Sequence, residues 1–253
     1  MDLPSRKQLQ LIPSLLTNPY DRILPLYSGL SVTICVGSSG HKYTLPKALV
    51  CKQSPYFSAM FQGGFKEGED QTATLELVDG VVSVEAFEML AQWLCIGRIV
   101  FKELAPEESI TSAIELSRFA DMCGITGVER QVAAHIRDII LANPLKKPPY
   151  KSRDPATNTH CITAEHIVAA SYLPGGHAVR IILATASVEG YMQFKLHKFT
   201  EEAQCVAGFS ADLLMAVKET LNTLHVDDYS GIFFREPISG DIVRLGREQL
   251  SPI

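Results

Sequence analysis

Residues 31–61 constrain the fold of this chain more than any other part of its 253-residue sequence. From residue 32 to residue 36 every second side chain is aliphatic, and this period of two is typical of a half-buried strand. Residues 37–40 are two glycines and two serines, a composition that suits a tight turn, and the alternation resumes at residue 43. The stretch therefore predicts a β-hairpin.

Two short helices are predicted to follow this hairpin. Pro46 and Pro55 each stand where the first turn of a helix tolerates proline, and Ser54 is a suitable N-cap for the second helix. The apolar residues between 57 and 61 recur at helical spacing. No group in the stretch is arranged for catalysis, so the pattern indicates a docking surface.

The whole pattern resembles the BTB/POZ domain, an interaction module that commonly self-associates and recruits partner proteins. The resemblance continues through residues 64–67, 73–77, 84–97 and 120–125, and it covers about residues 30–142. It implies an α+β fold in which a small mixed sheet is capped by helices. The combination is most similar to BTB proteins of filamentous fungi.

Two positions depart from the family pattern. Members often carry an Asp just before the first strand and a His before the Lys that opens the first short helix, where this sequence has Ser31 and Pro46. Members that dimerise commonly use that Asp in a charged pocket at their interface. The resemblance implies a homodimer with Ser31 at its interface, and the missing Asp weakens that expectation.

Residues 1–29 are predicted to form an N-terminal helical segment. Leu9, Ile12 and Leu16 lie on one face of a short helix that ends at Asn18-Pro19. In BTB dimers an N-terminal helix often packs across the second subunit, so these three side chains are a candidate dimer element. The alternative is that the stripe covers the core of its own chain or frays.

Breaks in composition divide the rest of the chain into three parts. Residues 30–142 form the BTB/POZ-like domain, residues 143–162 a proline-rich basic linker, and residues 163–253 a mainly helical domain that ends in a small hairpin. The linker composition favours a solvated connector. Its basic residues leave nuclear import or an acidic partner as the alternative.

Helical periodicity gives the predicted helices of both domains. They span residues 84–96, 111–123 and 128–142 in the first domain, and residues 164–172, a stretch from 178 onward, and residues 211–224 in the second. Thr163 and Ser210 are the predicted N-caps of the first and last helices of the second domain. Residues 232–234 and 241–243 are expected to pair as the terminal hairpin.

Composition and charge favour a protein of the cytoplasm, the nucleus or both. A net charge of −5 argues against direct binding of nucleic acid, which needs a basic face. The first residues lack the apolar core of a signal peptide, and no run is long and apolar enough to span a bilayer. The six cysteines include no Cys-x-x-Cys pair, which fits a reducing compartment.

No motif in the chain predicts catalysis, a cofactor or a metal. The sequence has no nucleophile elbow, phosphate-binding loop, dinucleotide fingerprint or His-Glu-x-x-His helix. His160, Cys161 and His166 come close together, but their spacing matches no structural zinc pattern and a fourth ligand is not apparent. We therefore predict a protein that is not an enzyme and that has no catalytic, cofactor-binding or metal-binding residues.

The resemblance implies one specific contact. Some BTB proteins hold a cullin scaffold of ubiquitin ligases through a hydrophobic-x-Glu element that follows the second short helix, and Phe65-Lys66-Glu67 fits it. With Phe65 and Glu67, we assign Tyr56 and Met60 of that helix to the predicted cullin-binding surface. The alternative is that Phe65 tucks back against Phe61.

Two functions follow from these observations. The first is a protein–protein interaction adaptor that recruits an unknown client to a cullin-based ubiquitin ligase. The second is a self-associating scaffold in transcription or chromatin regulation without a ligase link. No DNA-reading motif follows the BTB-like region, so a role of the second kind would be indirect.

Overall fold

The computed structural model describes residues 19–37, 40–145, 156–228 and 231–245. Its helices are α1 (Pro19–Tyr27), α2 (Lys47–Gln53), α3 (Pro55–Gln62), α4 (Lys66–Asp70), α5 (Val84–Ile96), α6 (Pro106–Met122), α7 (Val128–Ala142), α8 (Ala164–Ser171), α9 (Ala178–Gln193), α10 (Thr200–Cys205) and α11 (Ala207–Leu221). Its strands are β1 (Ser31–Val36), β2 (His41–Pro46), β3 (Thr72–Leu75), β4 (His225–Val226), β5 (Ile232–Arg235) and β6 (Ile242–Arg244).

The first sheet is small and mixed, as predicted. Its strand order is β2-β1-β3, with β2 antiparallel to β1 and β3 parallel to it. The aliphatic side chains of β1, at positions 32, 34 and 36, are completely buried, whereas the side chains between them are half-buried. The alternation in the sequence therefore marks the face of β1 that packs into the core.

The two predicted short helices, α2 and α3, follow β2 directly. Ser54 is the N-cap of α3: its Oγ accepts a hydrogen bond from the backbone N–H of Phe57 at 3.2 Å. The same hydroxyl donates to the backbone carbonyl of Cys123 at 2.6 Å, at the end of α6. This second bond fixes α3 against α6, and Phe57 and Phe61 of α3 lie in the core.

The larger helices of the first region match their predictions except for α6, which ends at Met122, one residue before the predicted end. The bounds of α5 and α7 are those predicted from periodicity. The predicted start of α6 at residue 111 is wrong, since the helix begins at Pro106. Proline at the first helical position and two glutamates in the first turn favour this earlier start, because both suit the N-terminus of a helix.

The C-terminal region, from residue 156 onward, is mainly helical and ends in a second sheet. Thr163 caps α8 as predicted, but the predicted cap Ser210 lies within α11, which starts at Ala207. The terminal hairpin is present as β5 and β6. Helix α11 ends at Leu221 and not at residue 224 as predicted, and β4 adds a third antiparallel strand that was not predicted. Helix α9 packs on α11, both contact α8, and α10 packs on α11 and α8.

The buried side chains of the two regions form one continuous cluster, from Val32 to Ile238. Helix α6 packs on α8, and α7 packs on α9. The end of the predicted linker contributes to this packing, because Thr157–Thr159 form a buried 3-10 turn and not a solvated connector. The four basic residues of the linker, Lys146, Lys147, Lys151 and Arg153, lie outside the described residues.

The N-terminal prediction falls largely outside the described residues. Leu9, Ile12 and Leu16 belong to residues 1–18, so their predicted role at a dimer interface stays a prediction. Helix α1 starts at Pro19, the residue at which the predicted helix was expected to end. Proline, which has no N–H, suits this first helical position because a backbone N–H there would have no partner within the helix.

Candidate partner-binding surface

Hydrogen bonds fix the backbone of Phe65, whereas its ring is exposed. Phe65 is the N-cap residue of α4, and its carbonyl accepts hydrogen bonds from the N–H groups of Gly68 and Glu69 at 2.9 and 3.3 Å. Its side chain is 63% exposed, whereas Phe61 is 1% exposed in the core. The ring is therefore presented at the surface and is not buried against Phe61.

Two glycines allow α4 to lie close to the end of α3. A Cβ atom on Gly68 would lie 2.6 Å from the carbonyl oxygen of Gly63, closer than real contacts permit. A Cβ atom on Gly63 would lie 2.4 Å from the carbonyl oxygen of Ala59 and 3.0 Å from Cδ2 of Phe65. The ring of Phe65 thus lies so close to the backbone of Gly63 that a residue with a Cβ atom would not fit there without a shift.

The structure brings Glu67 next to Tyr56 of α3. Burial raises the pKa of Tyr56, and the nearby Cys123 and Glu67 raise it further. A phenol with a raised pKa is neutral and keeps its O–H donor at neutral pH. Tyr56 and Met60 are half-buried, so they support the surface while Phe65 projects from it.

Ser31, the predicted dimer residue, lies exposed at the start of β1. It pairs with Pro46 at the start of the β1–β2 ladder. Proline has no N–H to donate, so this end of the ladder lacks one backbone donor. Nothing in the described residues tests whether Ser31 contacts a second copy of the chain.

An exposed apolar face of α1 was not among the sequence-based predictions. Ile23, Leu24 and Tyr27, together with Leu30 just after the helix, have about half or more of their surface exposed. The hydroxyl of Tyr27 donates to the backbone carbonyl of Cys95, which ties α1 to α5. Apolar residues at positions i, i+1 and i+4 were a signal for this face, but the two prolines at 19 and 25 obscured the helix.

A match to one protein family decides the nature of the first region. Residues 28–138 match the family model of the BTB/POZ domain. This part of the chain is a BTB/POZ domain. No curated protein matches the chain. The predicted family and α+β fold are confirmed for this region, and the similarity to proteins of filamentous fungi stays a prediction.

The BTB/POZ domain indicates a protein–protein interaction adaptor with protein partners and often with dimerisation. In the ranges that the structure describes, no helix is long and apolar enough to cross a membrane. The same ranges contain no group of three His, Cys, Asp or Glu side chains placed to hold a metal ion. His166, one of the three residues that came close to a metal pattern, instead uses both ring nitrogens in hydrogen bonds.

Proposed function

We propose that this chain is an adaptor of the cytoplasm or nucleus whose BTB/POZ domain binds a cullin-type scaffold of a ubiquitin ligase. In this proposal Phe65 and Glu67 contact the scaffold, Tyr56 and Met60 support them, and the C-terminal helical region selects a client. The observation that carries the proposal is the exposure of the Phe65 ring at the N-cap of α4, two residues before Glu67 in the first turn of that helix.

The chemistry of this pair suits a protein partner. An exposed aromatic ring on a fixed backbone loses little conformational freedom on binding, so most of the free energy from burying it contributes to affinity. The carboxylate of Glu67, two residues later, fixes the orientation of the partner, because it needs a cationic or N–H donor on the scaffold. Aromatic anchors of this kind dominate the binding energy at many interfaces.

A pull-down with matched variants tests the proposal. We expect wild type to capture a cullin, Phe65→Ala to lower its affinity about tenfold or more, and Glu67→Ala to lower it less. Phe194→Ala is the control, because it removes an exposed ring from the C-terminal region and should leave cullin capture unchanged. Absence of any cullin in the wild-type pull-down would contradict the proposal.

The second candidate function is a self-associating scaffold in transcription or chromatin regulation. The apolar face of α1 favours it, because exposed apolar patches on a helix commonly mark an interface. Light scattering on wild type and on Leu24→Glu tests it. A dimer that Leu24→Glu converts to a monomer supports the scaffold, and a wild type that is monomeric at all concentrations contradicts it.

A further inference from the structure

Three histidines of the C-terminal helical region accept hydrogen bonds from backbone N–H groups. The Nδ1 atom of His166 accepts from Thr163 at 3.0 Å, that of His177 from Val179 at 3.2 Å, and that of His197 from Phe199 at 3.3 Å. A backbone N–H can only donate, so each Nδ1 must carry a free lone pair. All three imidazoles are therefore in the neutral form in this structure.

His166 also connects the C-terminal region to the BTB/POZ domain. Its side chain is 4% exposed, and its Nε2 lies 2.8 Å from the hydroxyl of Thr111 in α6. That hydroxyl donates to the carbonyl of Glu107 at 3.1 Å, so its lone pair accepts the Nε2–H of His166. The ring thus completes the capping box of α8 with one nitrogen and contacts the other region with the second.

His177 and His197 hold the starts of the next two helices. His177 is the N-cap of α9, the helix that packs on α7 of the BTB/POZ domain. His197 lies in the turn before α10, and its ring packs edge-on against Tyr191 at 5.3 Å between centroids. The three histidines therefore occupy successive helix starts of one region.

Burial outweighs the charges that face these rings. It lowers the pKa of His166, although Glu107 and Glu165 act to raise it and Lys198 acts to lower it further. Burial likewise lowers the pKa of His177, where Glu129 and Asp121 oppose it and Arg180 adds to it.

His197 follows the same pattern. Burial lowers its pKa against the opposing effect of Glu202. In all three cases the folded chain accepts a proton less readily than the unfolded chain does.

We propose that the histidine-capped helix starts form an acid-sensitive latch: protonation of His166, His177 and His197 in mild acid loosens the C-terminal helical region from the BTB/POZ domain. An imidazolium has no acceptor, so each protonation removes one capping bond and places two N–H groups face to face. The stabilisation is fully present above the ordinary histidine value of 6.5 and decreases as pH falls below it. The latch holds whether or not the proposed cullin contact exists.

The BTB/POZ domain responds less to the same change. Burial lowers the pKa of its His135, but the Nε2 of that ring lies 3.0 Å from the hydroxyl of Ser109. A hydroxyl can rotate to accept from an imidazolium, so this bond survives protonation. The helix starts at α3 and α5 are capped by serine hydroxyls, which do not titrate.

Amide hydrogen exchange on the full chain tests the latch. We expect protection in α8 and α9, corrected for the intrinsic rate, to fall about tenfold or more between about pH 7.5 and about pH 5.5. Protection in β1 and α5 should fall much less. An equal fall in both regions, or none in α8 and α9, would overturn the proposal.

A triple variant separates the latch from general acid sensitivity. His166→Gln, His177→Asn and His197→Asn each keep an oxygen that accepts the same backbone N–H and does not titrate. We expect this variant, folded at pH 7.5 by circular dichroism, to lose most of the pH dependence of exchange in α8 and α9. The exposed His41→Gln is the control and should behave as wild type.

Single variants that each remove part of the pH dependence also support the latch if the triple variant does not fold. The latch is refuted if a folded triple variant is as sensitive to acid as wild type. If the triple variant does not fold, the latch is refuted when every folded single variant is as sensitive to acid as wild type.

Discussion

The two regions of the molecule begin their helices with different chemistry. In the BTB/POZ domain, the hydroxyl groups of Ser54 and Ser83 accept backbone N–H groups at the starts of α3 and α5. In the C-terminal region, imidazole nitrogens of His166 and His177 accept them at α8 and α9, and at α8 the imidazole acts together with the hydroxyl of the N-cap Thr163. A hydroxyl keeps its lone pairs at every physiological pH, whereas imidazole loses its acceptor on protonation. One continuous core can thus carry one region that is less sensitive to mild acid and one that is more sensitive.

Truncating the shared core should give the largest effect. Phe119 of α6 is completely buried, and Phe119→Ala should lower the free energy of unfolding by about 3–5 kcal/mol. Because the buried cluster spans both regions, we expect both to lose stability in one transition. Denaturant unfolding followed by the single tryptophan, Trp93, and by exchange of the α9 amides measures this.

Phe199→Ala is the matched change on the other side of the core. Phe199 is also buried, and its ring packs edge-on against Phe209 at 6.2 Å between centroids. It should produce a loss of similar size in the same single transition. Two separate transitions in either variant would show that the regions unfold independently and would contradict a single core shared by both.

A buried ion pair within the C-terminal region comes next in size. Nε of Arg180 donates to Oδ2 of Asp212 at 2.7 Å, with side chains 10% and 14% exposed, and Nη1 donates to the carbonyl of Leu173 at 2.9 Å. Asp212→Ala leaves this guanidinium buried without its carboxylate, which should cost about 3 kcal/mol.

The double variant Arg180→Met/Asp212→Leu distinguishes the pair from its packing. It replaces two charges with apolar side chains of similar size, so it should recover most of the stability lost in Asp212→Ala. Thermal unfolding of the three proteins measures the difference. A double variant as unstable as the single one would indicate that the charges contribute more than their burial costs.

Local patterns predicted some helix ends and missed others for identifiable reasons. Helix α5 was predicted at both ends from periodicity, and in the structure Ser83 caps its start and Gly97, with a φ of +65°, follows its end. Helix α6 was placed too late because the acidic pair Glu107-Glu108, considered without its neighbours, is typical of a solvated loop. Their position after Pro106 makes them favourable neighbours of the N-terminus of the helix.

Tertiary neighbours could not be predicted from the sequence in the same way. His166 meets Thr111 across 55 positions of the chain, and no local periodicity encodes that contact. The position of Phe65 has a similar origin, because the residue lies between Gly63 and Gly68, which approach each other closely. The sequence indicated which residues belong to the candidate surface, and packing decided which of them are exposed.

Removing one cap from each region tests the comparison directly. Ser54→Ala should cost about 1–2 kcal/mol at both about pH 7.5 and about pH 5.5, because the hydroxyl does not titrate. His177→Ala should cost about 1 kcal/mol at the higher pH and clearly less at the lower. The reason is that the lowered pKa of His177 makes its stabilisation decrease as pH falls below 6.5. Urea unfolding measures both costs. If His177→Ala lowered the free energy of unfolding equally at the two pH values, His177 would not be a cap that weakens on protonation.

The smallest effect is expected at the surface pair of the BTB/POZ domain. Nζ of Lys102 lies 3.4 Å from Oε2 of Glu88, with side chains 54% and 38% exposed. Water and salt screen such a pair, so Lys102→Met should change the free energy of unfolding by no more than about 0.5 kcal/mol. The other carboxylate oxygen of Glu88 keeps its hydrogen bond from the hydroxyl of Tyr43 at 3.0 Å. Urea unfolding at low and high salt checks this. The two ion pairs differ most in the exposed fraction of their side chains. If Lys102→Met lowered the free energy of unfolding almost as much as Asp212→Ala, this difference in exposure would not explain the strength of the pairs.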